Sequence, residues 1–119
     1  MKLTNAQMFD SIPVLMQAKD EKGLLGYAVA VNLRKLSAEV KEYSGKRDQL
    51  LAAHGTEAKD SPGRYSLTPA AAAAFEAELK TFAELETDVQ VMQVAPEVFY
   101  GGNLTSSQMY TLAWMVKEE

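Results

Sequence analysis

"GLLGYAVAVNLRKLSAEVKEYSGKRDQLLAAHG", Gly23 to Gly55, is the stretch on which the fold of this chain turns. Val29, Leu33, Leu36, Val40, Tyr43, Arg47, Leu50 and His54 follow one another in alternating steps of four and three. That spacing puts them on one stripe of a helix and reads as a heptad seam, interrupted at Arg47 and weakened by Gly45. The spacing predicts one helix from Leu24 to His54, stopped by Gly55 and roughly 45 Å long. Its first third is apolar almost all round, which requires cover on several sides. The run "GLLGYAVAVNL" is far shorter than the roughly 20 apolar residues a membrane-crossing helix needs, so it reads as a buried segment.

Outward from this helix, three threonines mark helix starts. In "LTNAQM" Thr4 can accept from the Gln7 N–H while the Gln7 side chain returns to the Thr4 N–H, a capping box, with Leu3 and Met8 at the spacing of a hydrophobic staple. "LTSSQM" repeats each element with Leu104, Thr105, Gln108 and Met109. "LTPAAAAAF" offers Thr68 as cap and Pro69 at the first helical position, where its missing N–H costs nothing. A first helix is therefore expected from Thr4 to about Lys19, kinked or broken near Pro13. A third is expected from Pro69 to Glu86 and a last from Ser106 to about Lys117.

Between them, "GTEAKDSPG" has the composition of a loop and "RYSL" that of a short strand. "DVQVMQV", Asp88 to Val94, is rich in β-branched residues and is the best strand candidate, with "VFY" a second. The expected fold is a single domain over residues 1–119, mainly α with a minor β element (α+β). A long central helix is packed by shorter N- and C-terminal helices, with a short strand or hairpin near 88–100.

Composition limits function. With 119 residues, 47% hydrophobic and 24% charged, the chain suits one compact domain. The absence of cysteine removes disulfides, thiolate metal sites and cysteine nucleophiles. The single histidine, His54, stands at the end of a helix with no base or orienting partner to name, and the glycines lack phosphate-loop spacing. No catalytic, cofactor or metal residues are assigned. Arg34, Lys35, Lys41, Lys46 and Arg47 make a basic stretch, but a net charge of -4 favours its pairing with the acidic third helix over nucleic acid. Phe99, Tyr100 and Trp114, near a Gly-Gly turn, are candidate interface anchors. Together with Leu36, Val40, Tyr43, Arg47 and Leu50 they form the candidate interface.

The phrases "MKLTNAQMF", "GYAVAVNLRKLSAEVKEYSGKRDQLL" and "LTSSQMYTLAWMVKEE" resemble, in this order, a family of small proteins of tailed bacteriophages and prophages. The likeness runs nearly end to end; "AAHGTEAKDSPGRYS" and the alanines Ala70 to Ala74 depart from it. The resemblance implies a gene product acting in the bacterial cytoplasm and carries over no catalytic residue. The expected function is thus non-enzymatic protein–protein binding, as a homodimer, without cofactor or membrane. Its forms are a structural or assembly factor and an inhibitor of a host defence enzyme. A weak nucleic-acid binder working through Arg34 to Arg47 and a small enzyme of unfamiliar type are the competing classes.

Overall fold

The computed structural model describes residues Met1–Lys117. All three threonines start helices as their spacing predicts. Thr4 accepts from the Gln7 N–H at 3.0 Å and Gln7 Oε1 accepts from the Thr4 N–H at 2.8 Å, opening α1, Asn5–Gln17. Thr105 and Gln108 repeat the reciprocal pair at the start of a short C-terminal helix, and Thr68 accepts from the Ala71 N–H at 3.1 Å. Such a cap contributes about 1 kcal/mol by satisfying donors that the helix itself cannot. α1 continues through Pro13, whose missing N–H falls on an exposed face.

The central rod is two helices, α2 (Gly23–Glu39) and α3 (Lys41–His54), in place of one. At Val40 ψ rises to 1°, far from the helical value near −42°. Its N–H still reaches the Leu36 carbonyl and its own carbonyl still accepts from Ser44. Val40 is buried in the core, and the change of direction sets the Tyr43 ring edge-on to Phe9 of α1, with centroids 5.6 Å apart. Neither Pro nor Gly sits at the bend, so no local signal announces it.

α1 and α2 pack side by side and hold the main core, with Met8, Leu15, Val29 and Leu36 fully buried. α3 leaves this body and packs along α4 (Pro69–Ala83), so Tyr43, Leu50 and Phe75 are buried outside the main cluster. The molecule is accordingly elongated. Its radius of gyration is 16.6 Å, against about 13.5 Å for a compact chain of this length.

The segment expected to be a loop, 55–63, supplies most of an antiparallel hairpin, β2 (Thr56–Ala58) with β3 (Ser61–Ser66). Gly63 takes φ +88° there, a conformation other residues rarely hold. β1 (Lys2–Thr4) pairs antiparallel with β4 (Glu86–Asp88), so the fold is α+β, mainly α, and the strand expected near 88–100 falls at 86–88.

The Val-rich run 89–94 forms no ladder strand. Asn32, wholly buried on α2, accepts the Met92 N–H at 2.7 Å and donates to the Met92 carbonyl at 2.9 Å. One side chain thus does what a neighbouring strand would do. Residues 98–100, "VFY", expected as a second strand, lie instead in α5 (Pro96–Tyr100), with Pro96 in the first turn. The last helix stops early: α6 is Ser106–Thr111, followed by a 3-10 turn at Ala113–Met115. That tighter turn seats Leu112 and Met115 in the core and lets Val94 bridge to Val116.

Candidate interaction surface

The residues of the sequence-derived interface divide into two groups. Leu36, Val40, Tyr43 and Leu50 lie within the chain's own packing, as does Phe99. The seam expected to meet another molecule is covered by α1 along α2 and by α4 along α3. Burial raises the pKa of the Tyr43 hydroxyl, with Asp10 adding to the effect and the neighbouring Arg47 opposing it. Tyr100 remains 59% exposed, its ring edge-on to Phe99 at 5.2 Å. Trp114 is half-buried and donates its indole N–H to Ser11 Oγ at 3.1 Å, while Ser11 donates to the Gln7 carbonyl.

Arg47, the break in the seam, is half-buried. Its guanidinium stands 5.4 Å from the centroid of Phe9 and 5.9 Å from that of Phe75, joining α1 to α4 through α3. Lys46 stands over Phe82 at 5.2 Å, and Lys35 donates to the Gln90 carbonyl. Of the basic stretch, Lys46 and Arg47 meet the acidic helix, and they do so through the rings of Phe82 and Phe75. Between α3 and α4, His54 Nε2 lies 3.0 Å from Glu78 Oε1, within hydrogen-bond distance. Three of the cations that could have met phosphates are thus engaged within the chain.

Sequence reasoning missed two surface features. On α2 the buried line is Leu25, Val29 and Leu36, and away from it stand Leu24, Tyr27 and Val31, spaced by three and four. Leu24 is 52% and Tyr27 63% exposed. The chain from Gln90 to Asn103 runs antiparallel along this helix. Lys35 meets Gln90, Asn32 meets Met92, and Glu21 accepts the Asn103 N–H. α5, which carries exposed Tyr100, packs against α2. Gly26 anchors the start of α2: a Cβ there would collide with the Glu21 carbonyl. The signal was present in the sequence, because "GLLGYAVAVNL" is apolar on more faces than one helix neighbour can cover.

The second feature is an open groove of about 540 Å³ between α1 and the bend of α2 and α3, floored by Phe9, Ile12 and Val40. Among the described residues no group of three or more His, Asp or Glu side chains is placed to hold a metal ion. No described helix is long and apolar enough to cross a membrane. Comparison with family models, curated proteins and solved structures finds no match to this chain.

Proposed function

We propose that this chain is a non-enzymatic phage or prophage protein that acts by binding another protein, as a structural or assembly factor. It works in the bacterial cytoplasm as a homodimer. The observation that carries the binding reading is the α2 stripe of Leu24, Tyr27 and Val31, with exposed Tyr100 on α5, which packs against α2. Single apolar side chains at a surface are ordinary, whereas an ordered row built around a tyrosine has the composition of an interface centre. Tyrosine contributes a large, stiff contact area and a hydroxyl for the rim. The phage setting rests on the likeness of the opening, central and closing phrases.

A photo-crosslinking residue in place of Tyr27, expressed in a bacterial host, tests the binding reading. The same residue in place of Glu76, exposed on α4, is the control. The expected result is one discrete adduct from position 27 and none from position 76. No adduct, or the same smear from both positions, would count against it.

A further inference from the structure

The groove beside α3 has features that the chain's own packing leaves unused. Its floor is apolar, and one wall is the α3 face carrying Ser44 and Gly45. Gly45 lies inside a regular helix with no positive φ, and a Cβ added there would meet no atom within 4 Å. Nothing inside the chain requires glycine at that place, although glycine is among the least favourable residues for a helix interior. A glycine next to a serine on an exposed helix face does, however, let a second helix approach closely.

Two charges frame this small-residue patch. Lys41 and Asp48 are exposed, lie on the same face as Ser44 and Gly45, and have no ion-pair partner among the described residues. They are two helical turns apart, roughly 10 Å along the axis. The midpoint between them falls between Ser44 and Gly45. A two-fold axis through that point would set α3 antiparallel to a copy of itself. Lys41 of each chain then faces Asp48 of the other. The face is self-complementary in charge, which is the requirement for a closed two-fold contact.

We infer that this groove is where two copies of the chain meet, α3 against α3 in antiparallel fashion. The inference rests on the homodimer reading above and assigns it a contact, on a different face from the Leu24–Tyr27 stripe. The heptad seam stays within the chain's own packing, and the copies meet through the opposite, exposed small-residue side of α3.

Sedimentation equilibrium of charge-swapped variants tests this. Lys41→Asp places two like-charge pairs across the axis, and so does Asp48→Lys. Each alone should weaken the dimer by about 10-fold or more. Mixed in equal amounts, the two variants restore both opposite-charge pairs, so the mixture should form a heterodimer with affinity close to that of the unmodified chain. Gly45→Leu should give a monomer with an unchanged circular dichroism spectrum. A dimer indifferent to the swaps and to Gly45→Leu, or a mixture that does not recover, overturns the assigned contact and leaves the homodimer reading standing. An unmodified chain that is monomeric throughout the micromolar range overturns both.

Discussion

Replacing Asn32 by alanine removes two hydrogen bonds that hold the 89–94 segment against α2, and nothing else in the chain can supply them. Both bonds go to the backbone of Met92, at 2.7 and 2.9 Å, from a side chain with no solvent exposure. Each contributes about 1 kcal/mol net. The Met92 N–H and carbonyl, stranded in a partly buried position, together add about 1 kcal/mol more. The expected loss is therefore about 3 kcal/mol, a large share of the roughly 5–15 kcal/mol that holds a domain folded. Urea unfolding followed by circular dichroism reads this directly. With a slope of about 1.5 kcal/mol per molar, the midpoint should fall by about 2 M. Asn103→Ala, on an exposed side chain, should leave it within about 0.3 M. A shift for Asn32→Ala no larger than that control would refute the idea that a side chain replaces a strand here.

Two further outcomes are expected. Thr4→Ala and Thr105→Ala should each lower stability by about 1 kcal/mol, measured by the same unfolding curves, because each removes one side of a capping box. Arg47→Met should keep the packing stem and lose the charge over Phe9 and Phe75, costing about 0.5–1 kcal/mol. The same substitution should leave any weak, salt-sensitive DNA binding unchanged in a filter or anisotropy assay, since Arg47 is turned into the chain.

Local chemistry was legible in the sequence, and chemistry that depends on distant residues was not. The three threonine caps are written within four residues of each helix start, and each is present with its partners. The buried seam was also legible as a stripe, yet a stripe does not say what covers it. In a single 45 Å helix Leu36, Val40, Tyr43 and Leu50 would extend past a compact domain and face a partner. The bend at Val40 and the return of α4 along α3 enclose them instead. The β-branched run at 88–94 had the right residues for a strand, and Asn32, almost sixty positions earlier, occupies the edge where a ladder would form. Pro96 followed by Glu97 was a helix-start signal that the aromatic "VFY" obscured. For the surface, the exposed half of Leu24–Val31 could have been anticipated from its all-round apolarity. The groove could not, because it brings Phe9 and Ile12 together with Lys41 and Asp48 only once α3 has turned.

On the proposed reading, this chain acts by holding another protein on the α2 stripe. Once the crosslinked partner is identified and purified, titration calorimetry against the unmodified chain and a Leu24→Ser, Tyr27→Ser variant tests it most directly. Both substitutions fall on exposed side chains, so the variant should melt within a few degrees of the unmodified chain. The account predicts saturable binding that the double substitution weakens by about 100-fold, as expected when two anchors at an interface centre are lost. Equal affinity for both proteins, with both folded, would contradict it.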